Sequence, residues 1–211
     1  MFDADRTATS LAMGPLSGVV RPTLQLIEFQ LWRVRGGQGP PPAVAKQRLI
    51  KEFARRFRLQ TLVESGTYRG DTVWAVRHAF REIHSIELDP SLYQLALRRF
   101  RRFNHIHLHQ GDSADVLRGL VQNLQGPALF WLDGHYSGGI TAKGILETPV
   151  KAELSHIFSD RIPDHVALID DARIFTGYGD YPSIEQLRGL LAQIRPGLSL
   201  SSADDVIRVH R

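Results

Sequence analysis

The chain of 211 residues contains no cysteine, which removes disulfide frameworks, thiolate zinc sites and cysteine nucleophiles together. Any chemistry here falls to oxygen and nitrogen groups. Long apolar runs are missing too. No stretch approaches the roughly 20 residues of a membrane span, and the opening MFDADRTATS carries acids where a secretory signal carries bases. The expectation is a cytoplasmic protein. Lysine is scarce: Lys46, Lys51, Lys143 and Lys151 are the only ones, so the net charge of +4 rests almost wholly on arginine. Arginine-rich surfaces suit phosphates and nucleic acid, but a coding preference for arginine gives the same composition with no partner. Disorder and coiled coil are excluded by 43% hydrophobic and 23% charged residues, ordinary for a folded domain.

What is present divides into two unequal parts. Residues 1–40 read as an arm and a hinge: Met1 to Gly18 has no sustained period, Leu24 to Val34 suits a short apolar helix, and GGQGPPP interrupts any regular element. Residues 41–211 read as one domain. A helix is expected from Ala43 to Phe57, with Val44, Leu49, Ile50 and Phe53 on its apolar side. Strands are then expected over Leu59–Val63, Ile83–Leu88, Ile106–His109, Ala128–Leu132 and His165–Ile169. Helices over Thr72–Phe80, Ser91–Phe103, Ser113–Leu124, Val150–Phe158 and Ser183–Ile194 separate them, and the tail from Leu198 to Val209 has room for two strands and a tight turn. Asp89 and Pro90 sit where an N-cap and a first-turn proline belong. Such alternation predicts an α/β fold: a doubly wound, mainly parallel, Rossmann-like sheet of seven strands with helices on both faces. In that architecture ligands gather beyond the carboxyl ends of the strands.

Polar residues follow five strands in turn. After the first comes Glu64-Ser65-Gly66-Thr67-Tyr68-Arg69-Gly70-Asp71-Thr72, whose two glycines let the backbone turn and approach a ligand closely. Glu87 ends the second, where a carboxylate can accept both hydroxyls of a ribose. Asp112 and Ser113 follow the third, Asp133-Gly134-His135-Tyr136 the fourth, and Asp170-Asp171 the fifth. Any one of these acids is equally well read as a helix cap, as for Asp112 or Ser113. Five in register are harder to assign to capping.

From about Thr61 to Asp171 the chain resembles the class I S-adenosylmethionine-dependent methyltransferases, with ESGTYRGDT similar to their first motif and SIELDP to the acidic second one. The resemblance implies that Glu64, Gly66, Thr67, Tyr68, Gly70 and Thr72 form or support the loop around the methionine part of the cofactor. It also implies that Glu87 binds the ribose, with Asp112 and Ser113 near the adenine. Tyr68 stands where the common E-x-G-x-G-x-G form has its middle glycine. GTYRG is similar to the loop of the macrocin and mycinamicin sugar O-methyltransferases. In those enzymes and in cephalosporin hydroxylase-like relatives, acids after the fourth and fifth strands hold a divalent metal. The matching residues here are Asp133, Asp170 and Asp171, and an all-oxygen set implies magnesium. Ala172 stands where the macrocin-type enzymes have a tyrosine.

The expected reaction is metal-assisted O-methylation of a small molecule or sugar hydroxyl, with Asp133 and His135 as catalytic residues and His135 as the base. The glycine-rich segment from Ser137 to Pro149 and the arm are expected to shape the acceptor site, and Leu24 to Val34 suits a homodimer contact. Two alternatives remain open. A nucleic-acid methyltransferase is suggested by Arg55, Arg56, Arg58, Arg98, Arg99, Arg101 and Arg102, although the chain lacks the N/D-P-P-Y motif usual in amino-methylating members. A non-catalytic cofactor-binding protein has no need of so many acids in one place.

Overall fold

The computed structural model describes residues 27–34, 36, 39–134 and 148–211. His135, Lys143, the loop over 137–147 and the arm before residue 27 lie outside the described residues.

The first complete helix is α1 (Ala43–Arg56), followed by β1 (Thr61–Ser65), α2 (Asp71–Val76), β2 (Glu82–Glu87), α3 (Pro90–Phe100), β3 (Ile106–Gln110), α4 (Ser113–Asn123) and β4 (Ala128–Leu132). Then come α5 (Val150–Ser159), β5 (Val166–Ile169), a 3₁₀ turn (Ala172–Ile174), α6 (Ile184–Ile194), β6 (Ser199–Ala203) and β7 (Val206–His210). The expected elements are present, with most boundaries moved by one to three residues. The largest change is α2, which stops at Val76 instead of running to Phe80.

The strands form one sheet in the order β3-β2-β1-β4-β5-β7-β6. The first five are parallel and β7 runs antiparallel between β5 and β6. Central strands are apolar on both faces, because helices cover both: β4 reads ALFWL and is buried throughout. One core lies under α1, α2 and α3, built on Ile50, Phe53, Val73, Val76 and Phe100 against Leu62, Ile83 and Trp131. The other lies under α4, α5 and α6, where Leu117, Leu154, Ile157, Leu187 and Leu191 meet Val63, Ile86 and Phe130. The tight turn of the tail is Asp204-Asp205, both left-handed at φ 50° and 59°, as a two-residue hairpin turn requires.

Local chemistry explains the helix starts. Asp89 accepts from the amides of Ser91 and Leu92 with Pro90 in the first turn, and Ser183 forms a reciprocal capping box with Gln186. Residues 27–34 are helical, and Ile27, Leu31 and Val34 on this segment are exposed. Among the described residues no helix is long and apolar enough to cross a membrane.

Candidate functional site

Parallel order brings the ends of β2, β1, β4 and β5 side by side. Backbone bonds continue across them past the strands: the amide of Asp133 donates to Ser65 O and that of Asp170 to Leu132 O, each at 3.0 Å. The loops that follow are therefore held in register.

The loop after β1 turns back on β2. Gly66 and Thr67 both donate to Ile86 O, at 2.9 and 3.1 Å, and the Tyr68 amide donates to Glu87 Oε2 at 2.6 Å. The second oxygen of Glu87 accepts from the Asp89 amide at 2.9 Å. Two backbone donors thus fix the plane of this carboxylate, and burial nonetheless lifts its pKa above the usual range. Gly66 has φ +87°, and a Cβ there would lie 2.5 Å from Asp133 O. Only glycine fits. Tyr68, the departure from the common motif, adopts φ 49°, so it supplies a left-handed conformation usual for glycine. Thr72 lies half-buried in the first turn of α2.

Glu64 lies beneath this loop rather than in it. It is buried and accepts from Ser85 Oγ at 2.5 Å, while Ser85 Oγ also meets Thr67 Oγ1 at 2.6 Å. Burial pushes its carboxyl up to about 8, against the hydrogen bond from Ser85. Asp112 caps α4 by accepting from the Ala114 amide at 2.9 Å. Ser113 is buried with its Oγ facing Gly134. Ser65 Oγ, under the same glycine, is buried and has no hydrogen-bond partner among the described residues. These residues fit a nucleoside with a polar tail: an oriented carboxylate at one strand end, a side-chain-free turn at the next, and an unsatisfied hydroxyl below.

The acids of β4 and β5 are arranged differently from the expected metal site. Lys46, reaching over from α1, places Nζ 2.5 Å from Asp170 Oδ2 and 3.5 Å from Asp171 Oδ1. The other oxygen of Asp170 accepts from the Asp171 amide at 2.8 Å. Burial works against the charge of Lys46, but the attraction of Asp170, its hydrogen bond, and the fields of Asp171 and Asp133 outweigh it and raise its pKa. Asp171, left-handed at φ 54°, also pairs with Arg173 at 2.9 Å. Arg173 in turn bonds Asp205 in the β6–β7 turn. The sequence expectation that Asp133, Asp170 and Asp171 hold magnesium meets a different arrangement here: the Lys46 ammonium contacts both Asp170 and Asp171, and among the described residues no group of three such ligands is arranged to hold a metal ion. Lys46 was not singled out in the sequence. Its one signal there was rarity, a lysine in a chain that spells almost every other cation as arginine.

The remaining candidates lie outside this centre. His107 and His109 share a face of β3 and stack on His84, their ring centroids 5.0 and 5.3 Å from that of His84. On α3, Arg99 pairs with Asp71 at 2.7 Å and also bonds Arg69 O, so this part of the arginine cluster serves the glycine loop.

The seven-stranded, mainly parallel sheet with helices on both faces is the Rossmann-like fold seen in methyltransferases of known structure. Among solved structures with this fold is an O-methyltransferase from Bacillus cereus in complex with S-adenosylhomocysteine. It has a TM-score of 0.59 at 11% identity and covers 96% of this chain and 94% of its own. The Podospora anserina methyltransferase PaMTH1, bound to S-adenosylhomocysteine, is similar with a TM-score of 0.56 at 13% identity over 97% and 99% of the two chains. CalS10, an amino pentose methyltransferase from Micromonospora echinaspora bound to S-adenosylmethionine, gives 0.56 at 13% identity over 97% and 100%. No protein-family model matches the chain, and no curated protein sequence matches it.

Proposed function

We propose that the protein is an S-adenosylmethionine-dependent O-methyltransferase acting on a hydroxyl of a small molecule. The observation that carries this reading is the bond from the Tyr68 amide to Glu87 Oε2 at 2.6 Å, which joins the glycine loop to the acid at the second strand end and forms one seat. Its support from outside is the fold shared with methyltransferases that bind the same cofactor.

When bound, S-adenosylmethionine supplies a methyl group already activated by its sulfonium. The chain's residues have three tasks. Glu87 accepts the ribose hydroxyls through the lone pairs its backbone bonds leave open. Gly66, Thr67 and Gly70, supported by Glu64 and Thr72, hold the loop against the methionine part, with Asp112 and Ser113 on the adenine side. Lys46, Asp170 and Asp171, with Arg173 on Asp171, form an ion-paired floor beside Asp133, against which an acceptor hydroxyl is oriented so that its oxygen meets the methyl carbon in line. His135, two residues past Asp133, is proposed as the base that takes the hydroxyl proton. Two of the three acids expected to hold a divalent cation, Asp170 and Asp171, are engaged by Lys46, and the proposed transfer needs no step through one. The domain proposed to carry this site spans residues 41–211, and the exposed Ile27, Leu31 and Val34 support pairing of two copies through the arm.

Calorimetric titration tests the reading directly. S-adenosylmethionine and S-adenosylhomocysteine are expected to bind the native chain, and Glu87→Gln to weaken both by about tenfold or more through loss of a charge-assisted hydrogen bond. Failure of both cofactors to bind the folded native chain overturns it.

A further inference from the structure

Lys46 belongs to two places at once. Its ammonium meets Asp170 beyond the end of β5, and its side chain also lines a cleft of about 440 Å³ between the helical segment 27–34, α1 and the β6–β7 turn. That volume suits a small molecule. Because β7 is antiparallel to β5, with Ile169 opposite Ile207, the Asp204-Asp205 turn stands at the same sheet edge as the acids. The cleft therefore opens beside the proposed transfer site, on the side of β5 away from the glycine loop.

Its walls have a definite chemistry. Phe29 and Trp32 stack at 6.3 Å with their planes 21° apart, and both are only half-buried. Two guanidinium groups lie over the Phe29 ring, Arg48 at 4.7 Å and Arg33 at 5.9 Å from its centroid. Among the described residues, neither of these side chains donates a hydrogen bond or meets a carboxylate. Of the acids that line the cleft, Asp204 is bonded to Arg208 at 3.0 Å, and Lys46 is balanced by Asp170 and Asp171. That leaves two arginines against Glu52.

We propose that this cleft binds the methyl acceptor, and that the acceptor is a planar aromatic anion. Its ring lies along Phe29 and Trp32, its carboxylate or similar group takes the N–H edges of Arg33 and Arg48, and its hydroxyl points to Lys46. A flat aromatic face matches the stacked pair, and a planar anion matches the guanidinium forks. A neutral sugar also stacks on aromatic rings but leaves the excess positive charge of the two arginines over Glu52 without a partner. The inference rests on the methyl-transfer reading for the role of the ligand and on the cleft alone for its chemistry.

The test uses the full chain saturated with S-adenosylhomocysteine and three calorimetric probes: 3,4-dihydroxybenzoate, its methyl ester, and methyl glucoside. The acid is expected to bind, the ester to bind about tenfold more weakly for loss of the charge-assisted contact, and the glucoside not to bind. In the double variant Arg33→Gln, Arg48→Gln the preference for acid over ester is expected to vanish while the affinity for S-adenosylhomocysteine is unchanged. Equal binding of acid and ester, no binding of either, tighter binding of the glucoside, or a preference that survives in the double variant overturns the proposal. A native chain that takes no S-adenosylhomocysteine but still prefers the acid keeps the aromatic-anion cleft and removes the methyl-transfer reading. The two failures are thereby distinguished.

Discussion

Lys46 Nζ lies 2.5 Å from Asp170 Oδ2, joining a helix near the start of the domain to a strand end 124 residues later. The Asp170 side chain is 1% exposed and that of Lys46 is 20% exposed. Removing one member of such a pair leaves the other as an uncompensated buried charge, at a cost of about 3 kcal/mol or more. Lys46→Met is therefore expected to lower the unfolding midpoint by about 6–12 °C. Adding Asp170→Asn should recover much of the loss, because the stranded carboxylate is gone. Thermal denaturation of the two single variants and the double variant measures the coupling, and a Lys46→Met midpoint equal to the native one would refute it.

The same pair governs the response to divalent cations. With an internal ammonium on Asp170 and Asp171, the native chain is expected to show one melting midpoint in millimolar magnesium and in chelator. Lys46→Ala opens the site and leaves the acids facing one another, an oxygen set that a hard cation can enter. Magnesium should then raise the midpoint of this variant alone. A native chain stabilised by magnesium would return the acids to the role expected from the sequence.

Much of this architecture was legible without coordinates. Alternating apolar runs and helical periods identified the parallel sheet, and Asp89-Pro90 marked a helix start that the structure realises bond for bond. Acids after successive strands could be expected to gather at one sheet edge, since parallel strands bring their ends together whatever the register. The counter-ion of those acids was not legible. Asp170 and Asp171 announce negative charge, but whether a cation from solvent or from the chain balances it depends on how α1 crosses the sheet. No local pattern carries that long-range packing. The Glu64 network was hidden for a similar reason. Ser85 looks like an ordinary strand residue until the pairing of β1 with β2 sets it opposite Glu64.

The glycine loop can be probed by two substitutions that differ in what they strike. At Gly66 an added Cβ would meet the backbone oxygen of Asp133 at 2.5 Å, and that segment is anchored by the Asp133 amide on Ser65 O. At Gly70 it would meet the Phe100 ring at 2.6 Å, a side chain with more freedom to turn. Both positions have positive φ, +87° and +73°. Gly66→Ala is expected to cost about 2 kcal/mol or more and Gly70→Ala about 1 kcal/mol. Cofactor affinity should fall further in the first, since the loop must shift off Ile86 O to relieve the clash. Urea unfolding with parallel calorimetry ranks the two, and a milder effect at Gly66 would contradict the loop geometry.

Glu64 predicts a dependence of stability on pH. Its carboxyl titrates near 4.5 in the unfolded chain and near 8 in the folded one, with burial as the leading cause. Between these values the folded state holds a proton that the unfolded state has released, so this group's contribution to stability falls as pH rises. Below the lower value both states are protonated and above the upper one both are ionised, so the slope vanishes at either end. Glu64→Gln keeps the shape and removes the titration. The variant is expected to gain on the native protein from about pH 5 to pH 8, by at most about 1.4 kcal/mol per pH unit, with a constant difference beyond. Urea unfolding of both proteins across that range measures the gap. A gap that stays flat, or that closes with rising pH, would mean that Glu64 is ionised at neutrality and that the Ser85 and Thr67 hydroxyls carry its charge.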